Sequence, residues 1–398
     1  MPEIFLTIFF ISVLLFFLCS GVWVALSMIG VSAIGMIFFT SRPVGDAMAT
    51  TIWGTSSSWT LTALPLFVWM GEILFRTKLS ENLFKGLSPW MQKLPGGLIH
   101  VNIVGCALFA AISGSSAATV ATVGKMSIPE LRKRNYPEKI LLGSLAGSGT
   151  LGLLIPPSII LIIYGVAVQE SIAKLFIAGI IPGIMIAIIF MSYVIIWSLI
   201  NKKEMPKILE EYSFLEKVKR STQLLPVILL ILGVIGSIYT GVATATEAAS
   251  LGVVGALILS YFQKSLTLET FKSSLLGATK TSCMIAFILA GSTFLSLAMG
   301  FTGLPRNLAI WIQNMDLSPY VLIFVLMIFY IILGMFLDGI SAVVLTMAII
   351  EPMIRQAGFD MIWFGIFLVI VVEMAQITPP VGFNLFVLQG MANKDMGF

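Results

Sequence analysis

Leu337-Asp338-Gly339-Ile340-Ser341-Ala342 sets a carboxylate and a glycine in the middle of an otherwise apolar run. Val321 to Leu337 before it reads as a membrane-depth helix, and Ala342 to Ile350 after it as another apolar segment. Lipid does not tolerate exposed backbone at that depth, so a break there lines a cavity or a site. The same figure occurs earlier as Ile112-Ser113-Gly114-Ser115-Ser116-Ala117. Each copy leads to a proline, Pro129 or Pro352, and then to a second broken stretch on a double proline, Ile155-Pro156-Pro157-Ser158 or Thr378-Pro379-Pro380-Val381. The spacing is 27 residues both from Pro129 to Pro156 and from Pro352 to Pro379, so the chain carries one device twice.

Working outward, 58% of the 398 residues are hydrophobic and 11% are charged, against roughly 25% charged in a soluble domain. Apolar stretches approaching the roughly 20 residues of a spanning helix recur throughout, which leaves no room for a sizeable soluble domain. The expected class is an all-α integral membrane protein in contact with the bilayer along its length. The first apolar run follows Met1-Pro2-Glu3 without a Lys or Arg, so it lacks the basic start of a cleaved signal peptide and reads as a retained helix. Cys19, Cys106 and Cys283 lie unpaired in apolar segments and read as small hydrophobic filler. The net charge of +4 calls for no nucleic acid, because Lys and Arg collect in cytoplasmic loops for topological reasons.

Taken in order, Ile4 to Leu18 and Val22 to Phe39 are two apolar runs, and Arg42 to Thr60 is an interfacial arm. Leu61 to Phe75 spans, and Leu79 to Pro95 is expected to lie on the cytoplasmic face. Val101 to Leu131, with Ser113–Ser116 at its tip and Arg132-Lys133-Arg134 after it, reads as a re-entrant hairpin. Ile140 to Val166 is a broken span interrupted at Gly147-Ser148-Gly149-Thr150 and at the prolines, and Ile177 to Ile200 crosses back. The second half repeats the order with Leu224 to Tyr239, Ala245 to Phe262, an arm from Gln263 to Lys280, Thr281 to Gly300, the Asp338 hairpin, and the broken span Met361 to Leu388. With Asn201 to Arg220 cytoplasmic, all of the 23 Lys and Arg except Arg42, Lys174, Arg306 and Arg355 fall inside, the bias of the positive-inside rule. On that map the two hairpins open from opposite sides, so the repeats are inverted. Residues 1–200 form the first repeat, 201–220 a cytoplasmic linker and 221–398 the second; about 97–166 and 303–390 form the transport elements and the rest a scaffold. The inversion also leaves one partner helix missing after Phe398: either the protein does without it, or about 35 further residues, a loop plus one span, belong there.

Inverted repeats with paired hairpins and broken helices describe a secondary transporter, whose half-helix ends and freed carbonyls gather near the bilayer midplane. Ser113, Gly114, Ser115 and Ser116 against Gly147 to Thr150, Gly149 and Thr150 included, make one set of oxygens. Asp338, Gly339 and Ser341 against Thr378, Pro379, Gly382 and Asn384 make the other. Such hard donors, without histidine or thiolate, suit an alkali cation, and Na⁺ is the expected coupling ion. Ser116, Pro156, Pro157 and Asn384 are the residues expected to meet the substrate. The hydroxyls equally read as helix-packing groups, and Asp338 as the cap of its hairpin turn, a role compatible with ion binding. Glu72 is placed to pair with Arg76 and Glu247 to cap a helix start. Glu373, an ionisable group at membrane depth, reads evenly as functional or as part of a structural network. His100, the sole histidine, lies at a hairpin mouth beside Pro95-Gly96-Gly97 and reads as a loop residue. Nothing pairs a nucleophile with a base, so an intramembrane enzyme is excluded.

Ala63-Leu64-Pro65-Leu66-Phe67 leading to Gly71-Glu72, Ser113 to Ala117, Gly152 to Pro157, Thr240-Gly241 with Glu247-Ala248, and Thr378 to Gly382 together resemble the large membrane (DctM-type) subunit of tripartite ATP-independent periplasmic (TRAP) transporters. The resemblance covers nearly the whole chain in the right order. It implies an elevator-type, Na⁺-driven importer of organic acids such as C4-dicarboxylates or sialic acids in the bacterial inner membrane, with no other cofactor. Its partners would be a smaller membrane subunit and a periplasmic substrate-binding protein. A stand-alone dicarboxylate or citrate symporter, working without a binding protein, is the alternative.

Overall fold

The computed structural model describes every residue except Met1, Lys78, 207–211, Arg306, 308–309, 311–317, 380–381 and 393–398, and only the backbone of Pro2–Ile4, Thr7, Leu79–Glu81 and Ala392. Arg306 and the Pro380-Val381 half of the second double-proline motif therefore lie outside the described residues. The helices are α1 (Pro2–Cys19), α2 (Val24–Phe39), α3 (Val44–Ser56), α4 (Ala63–Phe75), α5 (Leu79–Met91), α6 (Ile99–Ser113), α7 (Ser116–Lys133), α8 (Glu138–Gly149), α9 (Leu151–Leu154) and α10 (Ile159–Ala167). They continue as α11 (Ile172–Ile200), α12 (Phe214–Ser221), α13 (Leu225–Tyr239), α14 (Ala245–Phe262), α15 (Leu268–Thr302), α16 (Pro319–Gly334), α17 (Gly339–Gln356), α18 (Met361–Gln376) and α19 (Phe383–Ala392). No strand occurs among the described residues. Ile172–Ile200, Ala245–Phe262, Leu268–Thr302 and Gly339–Gln356 are each long and apolar enough to cross a membrane, and three bent pairs reach that length together.

Local chemistry sets the element boundaries. Ser115, Ser158, Ser171, Ser213, Thr244, Thr267, Ser318, Asp338 and Asp360 each cap a helix by accepting a first-turn backbone N–H, the role for which short oxygen side chains are favoured. Glu247 completes a reciprocal capping box with Thr244, as its position predicts. Hairpin α6/α7 turns at Gly114, whose φ of +60° is left-handed and natural to glycine.

Two features differ from the sequence reading. The first broken span bends by 40° at Ile155–Ser158, between α8–α9 and α10, whereas the expected interruption at Gly147 to Thr150 narrows to the single turn residue Thr150, whose hydroxyl donates to the Gly147 carbonyl at the end of α8. The second arm and its span, expected as separate pieces, form the single helix α15 of 35 residues. The first arm does bend, by 53°, before α4. There Ser58 is in extended backbone (φ −65°, ψ 123°) and parts α3 from the turn that leads into α4, whereas α15 runs on without a break or a proline.

The elements pack as two groups. In the outer framework α15 lies against α2, α3 and α4, α14 against α4 and α13, and α1 against α2. Lipid-type side chains such as Leu229, Leu232, Leu251 and Val254 stay exposed on its far face. The inner body contains hairpins α6/α7 and α16/α17 and the broken spans α8–α10 and α18–α19. The repeats interlock within it: α10 of the first packs on α17 and α18, and α19 of the second packs on α7 and α8. Tyr164 on α10 donates to the carbonyl of Met361 at the head of α18, 2.7 Å away, fixing one such crossing. Helix α11 lies along α6, α8, α9, α10 and α18, with a smaller contact to α13.

Candidate functional site

The tips of both hairpins meet at one cavity of about 1370 Å³ between the inner body and the framework. Its body wall is Ser113–Ala118, Asp338–Ser341, Gln376, Phe383 and Val387, and its framework wall comes from the start of α2, from α4, and from Lys280–Ile288 of α15. Most of this lining is apolar. Of the sequence-predicted residues, Ser113, Gly114, Ser115, Ser116, Asp338, Gly339 and Ser341 are thus brought together.

Each tip is tightly built. Ser113 Oγ lies 2.9 Å from Thr119 Oγ1, which donates to the Ser115 carbonyl at 2.7 Å. The Gly114 carbonyl accepts from the N–H of Ile159 at 3.2 Å, joining the first tip to the second half of its broken span. A Cβ on Gly152 would come within 2.6 Å of the Ser115 carbonyl, so only glycine allows that approach. In the second tip Asp338 Oδ2 accepts from the Ser341 N–H at 3.1 Å, the capping role read from the sequence. Helices α7 and α17 therefore both start at the cavity and turn positive dipole ends toward it.

The remaining predicted residues lie elsewhere. Gly149 is packed under Val120, and Thr150 spends its hydroxyl on the Gly147 carbonyl; neither lines the cavity. Pro156 and Pro157 face α11 and α13, against Phe176, Ile177, Val234 and Ile238, and do not line the cavity, although the Pro157 carbonyl packs against Gly114 of the first tip, where a Cβ would meet it at 2.7 Å. Thr378 donates to the Met374 carbonyl at 2.6 Å, and Pro379 is exposed. Gly382, at φ +56°, starts α19 without lining the cavity. Asn384 is fully buried and, among the described residues, neither amide atom finds a partner. Glu373 is buried too, with Oε1 meeting no donor among the described residues, and does not line the cavity. Glu72 lines the framework wall and pairs with Arg76, which also donates to Ser273. His100 is bonded through Nε2 to the Pro95 carbonyl at 2.8 Å, a hairpin-mouth role. Cys106 is buried filler as expected, whereas Cys19 and Cys283 are exposed, Cys283 on the cavity wall.

Sequence reading did not single out Gln376. Its Oε1 accepts from Ser116 Oγ at 2.8 Å, linking the second broken span to the first hairpin. The available signal was a polar side chain ending an apolar helix two residues before Thr378.

Residues 11–397 match the family model described as "Tripartite ATP-independent periplasmic transporter, DctM component". The chain is 32% identical over 370 residues to the C4-dicarboxylate TRAP transporter large permease protein DctM of Pseudomonas aeruginosa, with 93% of this chain and 86% of that protein covered. It is 31% identical over 381 residues to the isethionate TRAP transporter permease protein DctMQ of Oleidesulfovibrio alaskensis, covering 95% of this chain and 59% of that protein. The crystal structure of the Alcanivorax borkumensis YdaH transporter, reported as having an unusual topology, aligns with a TM-score of 0.64 at 13% identity, covering 96% of this chain and 92% of that one. That likeness speaks for a common fold. With the family model matched over almost its full length, the chain belongs to the DctM component family of tripartite ATP-independent periplasmic transporters, multi-pass permeases of the inner membrane.

Proposed function

We propose that this permease carries an organic acid inward with Na⁺, receiving it from a periplasmic binding protein and working beside a small membrane subunit. The observation that supports this most is the convergence of Ser113–Ser116 and Asp338–Ser341 on one cavity where the inner body meets the framework. The N-terminus of α7, capped by the neutral Ser115, favours a carboxylate, and the hydroxyl and carbonyl oxygens of the tips favour a hard cation. The fused DctMQ relative supports a second membrane component as partner. The inner body, with transport elements at about 97–166 and 303–390, moves as an elevator against the framework, and the inverted repeats supply two near-equivalent states.

The test is uptake into proteoliposomes containing the chain with its small subunit and binding protein. Uptake is expected to follow an imposed Na⁺ gradient and to persist when the proton gradient is collapsed. Uptake driven by protons alone would refute the ion assignment, and uptake that needs no binding protein would establish a stand-alone symporter instead.

A further inference from the structure

Gln376 is the last residue of α18 and is 3% exposed. Its two amide atoms face different repeats. Oε1 accepts from Ser116 at the first hairpin tip. Nε2 lies over the backbone of the second tip, close enough that a Cβ on Gly339 would come within 2.7 Å of it. Among the described residues no protein acceptor takes a hydrogen from Nε2, and Gln376 lines the cavity. An amide carries two such donors, and at the cavity wall they stand open to a ligand that can accept them.

The two dipole ends at the cavity are not equivalent. At the start of α17 the carboxylate of Asp338 already accepts the first-turn amide of Ser341 and places a negative charge at that end. At the start of α7 the cap is the neutral Ser115, whose Oγ is a long 3.5 Å from the Ala118 N–H. The anion-seeking end is therefore that of α7, beside Ser116 and Gln376.

The geometry points to Gln376 as a carboxylate-binding residue for the cargo: Nε2 donates to one carboxylate oxygen while the α7 N-terminus takes the other. This rests on the organic-acid reading above and names the group that recognises the acid. An amide binds a carboxylate without cancelling its charge. The lysine that lines the cavity, Lys280, stands across it on the framework wall rather than on the inner body.

The test is isothermal titration of the purified chain with its small subunit, in Na⁺ buffer, against succinate, fumarate, isethionate and N-acetylneuraminate, continued with whichever acid binds the wild type. Gln376→Leu, which keeps the bulk and removes the donors, is expected to weaken that acid at least about tenfold, the scale of one hydrogen bond to a charged group. Gln376→Glu, which adds a like charge, is expected to abolish binding. Ser116→Ala, which leaves Nε2 in place, is expected to cost less than about threefold. All three are expected to melt near the wild-type temperature, and Gln376→Met replaces the leucine variant should that one not fold. Unchanged affinity in the donor-free variant overturns the inference alone. Equal losses from Ser116→Ala and Gln376→Leu, with both melting early, assign Gln376 to a structural bridge and also overturn it. A folded wild type that binds none of the acids overturns the organic-acid reading itself, and the role of Gln376 with it.

Discussion

Ser292 on α15 donates its hydroxyl hydrogen to the backbone carbonyl of Val344 on α17 across 2.5 Å. The bond joins the framework to the second hairpin, so any travel of the inner body has to break it. Replacing Ser292 by Ala removes about 1 kcal/mol, which tilts a two-state equilibrium by roughly fivefold. A cysteine at Ser115, in a background with Cys283 replaced by Ser, is expected to change its labelling from the two membrane sides when Ser292→Ala is added. Labelling that ignores both Ser292→Ala and the presence of Na⁺ and acid would leave the moving-body reading without support.

Asp338 has two separable roles. Asp338→Asn keeps an oxygen for the Ser341 N–H, so the protein is expected to stay folded while apparent Na⁺ affinity falls. Asp338→Ala also loses the cap and is expected to melt lower, by about 1 kcal/mol in stability. The comparison is read from Na⁺ titrations of uptake beside thermal melts. An asparagine variant with wild-type Na⁺ response reduces Asp338 to its capping role.

Glycines in the first repeat differ sharply in tolerance. A Cβ on Gly152 meets the Ser115 carbonyl at 2.6 Å and Thr119 Oγ1 at 2.8 Å, whereas one on Gly143 meets nothing within 4 Å. Gly152→Ala is expected to destabilise by about 1–3 kcal/mol and to distort the first tip. Gly143→Ala is expected to be neutral or stabilising by up to about 1 kcal/mol, because alanine is the better helix former. Melting temperatures in detergent decide this, and similar melts for the two would contradict the close approach of α9 to the tip.

Thiol reactivity reports on the cavity directly. Cys283 is exposed on its wall and Cys106 is buried, so a membrane-impermeant maleimide is expected to modify Cys283 and spare Cys106. Mass spectrometry of the labelled chain reads the outcome. Protection of Cys283 by saturating acid and Na⁺ is further expected, since the cargo would share its cavity.

What the sequence determined by itself was the repeated architecture. Breaks such as Ser113–Ser116 and Asp338-Gly339 stand inside apolar runs where lipid cannot satisfy free backbone groups, so their depth and their pairing into repeats follow from residue type and spacing alone. Helix caps were legible for the same local reason: Asp338 and Glu247 bond to backbone three residues away. The continuity of α15 is a matter of which helices support it, namely α2, α3 and α4. Only the tertiary structure decided which residues face the cavity. Gln376 and Ser116 are 260 positions apart and meet because α19 crosses onto α7 and α10 onto α17 and α18. Pro156 and Pro157 stay out of the cavity lining and face α11 and α13 where the chain bends by 40°. Asn384 is buried because α19 packs against α7 and α8. In each case the deciding contact comes from the opposite repeat or from the direction of a bend, and the order of residues along one segment carries no record of either.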